Sequence, residues 1–168
     1  MKRRLLIMVA TAMLAVSAFV VPMSAATTQD ITVTATPTFI SIVVDNLTMD
    51  FGAVAASSTP NSGTDYFTIT NSSTVITDIT LTALTGWDGG ANDWSWGAAG
   101  EDTGKLAASA GTGSYDTDIA AVDTPYEIID SLAATTNDSF ELQLVAPSSF
   151  TYGNEQTVVV RVTSAAHV

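Results

Sequence analysis

The chain contains no cysteine and a single histidine, His167, among its 168 residues. Without cysteine there is neither a disulfide framework nor a thiolate ligand for a structural zinc ion. A serine hydrolase needs a histidine as its base, and His167 follows the last predicted strand, where we expect a frayed tail. Acidic pairs for glycoside hydrolysis are so numerous that none stands out. We therefore expect a protein that is not an enzyme.

Positive charge is also scarce. Five Lys and Arg residues stand against 17 Asp and Glu residues, and the formal net charge is −12. Nucleic acid and anionic membrane surfaces repel such a chain, so we expect no nucleic-acid partner. Divalent cations or basic surfaces suit it better, although acidity also serves solubility alone.

The first 26 residues have the three parts of a secretory signal peptide. A basic start at residues 2–4 precedes an apolar and small-residue stretch at 5–21, and Ser24 to Ala26 offer a cleavage site. The alternative is an uncleaved membrane anchor, but the many Ala, Ser and Thr residues insert weakly and favour cleavage. We expect a secreted or cell-surface protein with no membrane span after cleavage.

The pattern of residues 27–168 predicts a single all-β domain. Short stretches rich in Thr, Val and Ile alternate between apolar and polar residues, as half-buried strands do. The predicted strands are 31–36, 39–44, 47–54, 66–70, 75–84, 126–129, 139–146 and 157–162. No helical periodicity occurs after the signal-peptide helix, so we expect an antiparallel sandwich of two sheets with about seven to nine strands.

The span 86–123 interrupts this alternation. Glycine is frequent there, with Asp, Ala and Ser between the glycines, and only short strands around Trp94 and Trp96 are predicted. The span is too long for an ordinary loop. We therefore expect an irregular Gly/Asp-rich excursion from the sandwich, containing short strands or a functional segment.

Two stretches resemble a known family. Phe51-Gly52-Ala53-Val54, followed by residues 66–71, resembles the FGxV…IxN signature of hydin-type immunoglobulin-like domains, which recur in bacterial surface proteins. The run 144–160 is similar to the final hairpin of many exported prokaryotic sandwiches. The resemblance implies an immunoglobulin-like fold in which the Phe plugs the core, the Gly permits a tight bend and the Asn starts a turn. It implies no catalytic residues.

Residues 87–96 are the best local candidate for a ligand site. Trp94 and Trp96 are two apart, so a strand would place both on one face. With Trp87 and Asp93 they resemble sugar-binding surfaces, in which indoles stack on a pyranose and polar groups bind its hydroxyls. Packing of the tryptophans in the core is the favoured interpretation. A carbohydrate-binding module with a polysaccharide partner is thus an alternative function.

Calcium is the only cofactor that the sequence leaves open. Asp88, Asn92, Asp93 and Asp102 offer hard oxygen ligands within the Gly-rich excursion. Their spacing matches neither an EF-hand nor a nonapeptide repeat, and solvated loop acids are the favoured interpretation. We expect no other cofactor.

Together these observations favour an exported structural or interaction protein whose partners are other surface proteins or itself. A more specific alternative comes from Ile31 to Thr36, a short uncharged strand that ends at Pro37. Secreted β-sandwich subunits can polymerise by donating a terminal strand to a neighbour's sheet, which would make this protein a subunit of a surface layer or filament. The competing interpretation is that residues 31–36 complete their own sheet.

Overall fold

The computed structural model describes residues 32, 34–35, 37–111 and 113–168. The predicted signal peptide lies outside the described residues, as does half of the predicted strand 31–36. The chain divides into two units, 1–36 and 37–168, and the second unit contains the β-strands. None of the described residues lies in a helix that could span a membrane.

Nine strands occur in the described part of the chain, and no helix. They are β1 (Ile42–Val44), β2 (Phe67–Asn71), β3 (Thr77–Ala83), β4 (Ser95–Trp96), β5 (Thr103–Ser109), β6 (Thr117–Ile119), β7 (Pro125–Leu132), β8 (Asn137–Val145) and β9 (Val160–Ala166). One sheet has the order β1-β2-β8-β5-β4, with β6 also paired to β5, and the other has the order β7-β3-β9. Every pairing is antiparallel except the short one between β4 and β5. The predicted all-β architecture of two sheets is confirmed.

The alternating sequence of the strands explains how the sheets pack. In β2 and β3, buried and half-buried residues alternate along the whole strand, and Ile69, Ile79 and Leu81 are fully buried. Phe67 of β2 stacks on Phe140 of β8, with ring centroids 4.7 Å apart and planes at 13°. Burial of such side chains is the main term that stabilises a domain without disulfides.

The excursion 86–123 contains a regular strand that the sequence did not predict. β5 has seven residues and pairs with β8 from Lys105↔Val145 to Ser109↔Glu141. The prediction of only short strands in this span was wrong because four of the seven residues of β5, Gly104, Lys105, Ala107 and Ala108, are of types that are depleted in strands. Small size is required there: a Cβ at Gly104 would lie 2.9 Å from the carbonyl oxygen of Val145.

Residues 47–54, predicted as a strand, belong to no strand in the structure. The pairing of β1 with β2 ends at Asp45, whose Oδ1 accepts hydrogen bonds from the backbone N–H groups of Asn46 (2.7 Å) and Thr68 (2.8 Å). An aspartate that binds nearby backbone in this way favours a turn. The chain therefore leaves the edge of the sheet, and Gly52, with φ +65°, bends it further.

Asn71 connects the end of β2 to two neighbouring turns. It is fully buried, and its Nδ2 donates hydrogen bonds to the carbonyl oxygens of Leu132 (2.9 Å), Val75 (3.1 Å) and Ala133 (3.1 Å). Its Oδ1 accepts a hydrogen bond from the Ser73 backbone N–H at 2.9 Å. The side chain thus joins the end of β2 to backbone groups at the end of β7 and in the turn before β3.

Candidate functional site

The two sheets leave a groove of about 690 Å³ between them. One wall comes from β9 and the residues before it, and the other from the end of β1 and the segment 46–54. The apolar lining residues are Val44, Leu47, Met49, Phe51, Val54, Phe67, Leu81, Trp87, Trp94, Leu106, Phe140, Leu142, Leu144, Phe150, Val158, Val160 and Val162. We call this cavity the groove.

The floor of the groove is the hydrophobic core itself. Leu81, Leu106 and Phe140 are at most 2 % exposed and belong to the core cluster, yet they also line the groove. The groove is therefore a place where the sandwich is incompletely closed, and its chemistry is that of a protein interior. A groove with an apolar lining offers a place where an apolar segment of a partner can pack.

The wall formed by β9 has an unpaired backbone edge. Two backbone hydrogen bonds flank the pairing of β9 with β3: the Leu84 N–H donates to the Val159 carbonyl (2.8 Å), and the His167 N–H donates to the Ile76 carbonyl (3.0 Å). With the register of the two strands, these bonds show that the odd-numbered residues of β9 are the ones hydrogen-bonded to β3. In an antiparallel ladder the intervening residues point their N–H and C=O groups away from the partner. In β9 these are Val160, Val162, Ser164 and Ala166. Among the described residues, β9 pairs with β3 alone.

The opposite wall has a shorter unpaired edge. The Asp45 N–H binds the Thr68 carbonyl at 3.1 Å and the Ser72 N–H binds the Ser41 carbonyl at 2.9 Å. By the same rule, Ile42 and Val44 direct their backbone groups away from β2. Val44 also lines the groove, so both walls combine inward-facing apolar side chains with backbone groups available for pairing.

The three tryptophans for which the sequence left a sugar-binding surface as an alternative lie together, and Trp87 and Trp94 line the groove. Trp87 is 5 % exposed, and the half-buried Trp94 and Trp96 contact it with ring centroids 5.5 Å and 4.9 Å away. Trp94 also stacks on Phe150, at 5.4 Å and 11° between planes. The rings pack on one another rather than forming a flat exposed platform, which is the geometry of the packing interpretation.

The indole N–H groups of this cluster differ in their partners. Trp96 Nε1 donates a hydrogen bond to the Thr85 carbonyl at 3.3 Å. Trp87 Nε1 and Trp94 Nε1 are buried without an acceptor among the described residues. A buried donor without a partner costs free energy. Trp87 and Trp94 therefore stabilise the cluster through ring packing and not through their indole N–H groups.

The structure gives each predicted calcium ligand its own hydrogen-bond partner. Asp88 Oδ1 accepts a hydrogen bond from the Gly90 N–H, and Asp93 Oδ1 accepts one from the Gly89 N–H, both at 3.0 Å. Asp102 Oδ1 accepts a bond from the Thr151 N–H at 2.9 Å, and the Asn92 carbonyl accepts one from Gln156 Nε2 at 2.8 Å. In the described ranges, the three aspartates do not form a cluster with ligand atoms within 4.8 Å of one another. The calcium hypothesis gains no support from this loop.

A cluster that the sequence did not predict forms at the far end of β9. His167 Nδ1 lies 2.7 Å from Asp78 Oδ1 and 3.2 Å from Asp130 Oδ1. The backbone of His167 also continues the pairing of β9 with β3 through its bond to Ile76. The expected frayed tail is therefore wrong, because the last strand extends to Ala166. No sequence signal predicts this cluster, because Asp78 lies in β3, Asp130 in β7 and His167 directly after β9.

In this cluster, His167 and the neighbouring acidic groups favour each other's charged forms. The hydrogen bond to Asp78 raises the pKa of His167, and the negative charges of Asp130 and Glu127 act in the same direction. The pKa of Asp78 is lowered, first by the hydrogen bond that its carboxylate accepts from the Ser131 N–H and then by His167. These mutual contacts account for the cluster without a bound ion.

Comparison with protein-family models, curated proteins and solved structures found no match to this chain. A function must therefore be proposed from the groove and the residues around it.

Proposed function

We propose that this protein is an exported structural subunit of a surface layer or filament, which assembles with copies of itself or with other surface proteins through the groove. The observation that carries this proposal is a single one: an apolar groove, continuous with the core, lies between two unpaired strand edges. Apolar surface and exposed edges both favour association, and proteins that remain monomeric cover them.

The composition of the groove supports binding rather than catalysis. Catalytic sites need polar groups that converge on one point in a sheltered pocket. Four of the polar residues that line this groove, Asn46, Asp50, Asn154 and Glu155, are exposed residues of two loops. The half-buried Gln156 is bonded to the backbone of Asn92 and Trp94. An extended apolar segment fits such a surface better than a small polar substrate does.

The finer architecture that we propose is an immunoglobulin-like sandwich of the hydin-type kind. Three features support this proposal: Phe51 packs partly buried against the core, Gly52 has a positive φ, and the Asn71 side chain accepts a hydrogen bond from the Ser73 N–H just after β2. Domains of this architecture serve widely as surface modules. Export itself rests on the proposed signal peptide, with cleavage after Ala26. Mass spectrometry of the exported protein would give its N-terminal residue.

Sedimentation of the full chain, expressed in an exporting host, tests the proposal. We expect oligomers whose fraction grows with protein concentration. Val162→Glu places a charge in the groove and should weaken association strongly. The matched control is Thr163→Glu, on the exposed face of the same strand, which should leave association unchanged. A wild-type protein that remains monomeric at high concentration, with and without calcium, would overturn the proposed function.

A further inference from the structure

We propose that the occupant of the groove is the segment Ile31–Thr36 of a second copy of this chain, added to β9 as an extra strand. This inference rests on the proposed function, because it names the partner of the same groove. It is supported by four properties of the molecule: the protection of its sheet edges, the pattern of the segment, the place where the chain enters the sandwich, and the charge around the groove.

The two edges of the three-stranded sheet differ in their protection. The edge strand β7 begins at Pro125, carries Glu127 and Asp130, and shifts register twice against β3. Proline, charges and irregular register are the features by which proteins prevent strand addition. The other edge strand, β9, contains no proline and pairs with β3 in unbroken register over seven residues. Its one charge, Arg161, lies on the exposed face. β9 is therefore the edge that accepts a strand.

The segment 31–36 has the pattern that this edge requires. Ile31, Val33 and Ala35 alternate with three threonines, so one face is apolar and the other polar. Paired to β9, its apolar face would lie over the groove beside the inward-facing Val160 and Val162. Six residues of strand span roughly 20 Å, which matches the length of β9. Pairing would also satisfy the free backbone groups of β9.

The described residues of this segment belong to neither sheet. The Phe39 N–H donates to Thr74 Oγ1 and the Phe39 carbonyl accepts from the Thr74 N–H, both at 3.2 Å, so the chain is tied to the larger sheet from Phe39 onward. Thr32, Thr34 and Ala35, the described residues of the segment, are exposed and belong to none of the nine strands. The pairing of these three residues is therefore not part of the described sheets, and we place the segment in the groove of a second copy.

Charge also selects this occupant. Asp50 and Glu155 line the groove, and they would repel an acidic segment in a protein whose net charge is already −12. The segment 31–36 contains no charged residue, so its insertion buries no unpaired charge. This uncharged, alternating segment directly precedes Pro37 in the sequence.

A pair of matched variants in the full chain tests the donated strand. Val33→Asp places a carboxylate on the face that enters the groove, and Thr34→Asp places the same group on the opposite face. We expect Val33→Asp to lower the association constant at least about 100-fold, because an unpaired carboxylate would be buried. We expect Thr34→Asp to change it by less than about threefold. Equal association of both variants and the wild type overturns the proposal.

A crosslinking experiment gives a second readout that does not depend on the folding of those variants. The chain has no cysteine, so every disulfide formed is the engineered one. Chains carrying Val33→Cys are mixed with chains carrying Val160→Cys or Val162→Cys and then oxidised. A disulfide between the two kinds of chain supports donation. No such disulfide at either acceptor position overturns it.

The same pair of cysteines placed in one chain separates donation from self-completion. Donation predicts a ladder of disulfide-linked chains on a non-reducing gel, whereas a monomer with an internal disulfide overturns the proposal. The two levels of inference fail differently. If the protein forms oligomers but the engineered cysteines form no disulfide between chains, the proposed function stands and the groove has another occupant. If the wild type is a monomer, both the donated strand and the proposed function are rejected.

Discussion

Val44 and Val162 belong to different sheets, yet both side chains line the groove and both backbones point their free hydrogen-bonding groups away from their own sheet. In a closed sandwich, further strands or loops cover such edges. A strand that pairs with β9 would leave the ladder between β3 and β9 intact, because that ladder uses the other edge of β9.

This relationship predicts that a free peptide can enter the groove. A synthetic peptide with the sequence of residues 29–37, added to the Val33→Asp variant, should bind and change the fluorescence of Trp87 and Trp94, which line the groove. The same peptide with Val33→Asp is the control and should produce no change. Titration of the fluorescence gives the affinity, and equal responses to both peptides would contradict the model.

Ionic strength should control assembly, because each copy is strongly acidic. At a net charge of −12, copies repel one another over distances that added salt shortens, from about 10 Å at 0.1 M to about 3 Å at 1 M. We expect the oligomeric fraction in sedimentation to rise with NaCl over this range. Calcium at matched ionic strength should have no additional effect, and a specific calcium response would indicate a cation site after all.

Much of the fold could be predicted from alternation, and the exceptions have physical causes. β2, β3 and β8 combine β-branched or large apolar residues with polar ones at period two, and the structure places all three near the predicted positions. β5 escaped prediction because its buried residues Gly104, Ala107 and Ala108 are small, and at Gly104 the Val145 carbonyl leaves no room for a Cβ. Residues of this size carry no alternating signal.

The groove could not be predicted, because it depends on which strands become sheet edges. The run at Val160 and Val162 predicts a strand, but the sequence does not show that β9 pairs on one side only. Similarly, Met49 and Phe51 alternate as strand residues do, and they are half-buried in the structure. Both side chains pack against the core, but their segment pairs with no strand. Whether an alternating segment finds a pairing partner is decided by the tertiary fold.

The buried amide of Asn71 should be one of the most sensitive positions in the domain. Asn71→Ala leaves the carbonyls of Leu132 and Ala133 without this donor, and we expect a loss of about 2–4 kcal/mol in the free energy of unfolding. Asn137→Ala, at an exposed position paired to β2, is the control and should change stability by less than about 0.5 kcal/mol. Urea unfolding measures both. Similar values for the two variants would contradict a role for the buried amide.

The ion pair of His167 and Asp78 should make stability depend on pH in a defined window. The pKa of His167 is raised above its ordinary 6.5, so its contribution is complete below that pH and disappears as pH rises through the raised value. The pKa of Asp78 is lowered below its ordinary 3.8, so its contribution is present above 3.8 and disappears as pH falls through the lowered value. The pair therefore contributes most between these two ordinary values.

His167→Gln tests this window. The difference in melting temperature between wild type and variant should be largest near about pH 5 and shrink as pH rises through the raised pKa of His167. Asp130 and Glu127 also face His167, so the full shift requires all three acids. Asp138→Asn, an exposed acid in β8 away from this cluster, should keep the wild-type pH profile. A pH-independent difference for His167→Gln would show that the variant acts through packing alone.

Substitutions in the tryptophan cluster distinguish the proposed structural function from the carbohydrate-binding alternative. Trp94 is held between Trp87 and Phe150, so Trp94→Ala should lower the free energy of unfolding by about 2–3 kcal/mol, less than for a fully buried tryptophan. Tyr152→Ala, at a residue that also lines the groove but is 52 % exposed, should cost less than about 1 kcal/mol. We expect no retention of the wild type on a panel of polysaccharides. Retention that Trp94→Ala or Trp96→Ala abolishes while stability is unchanged would instead make these rings a ligand surface, because packing residues cannot be removed without a loss of stability.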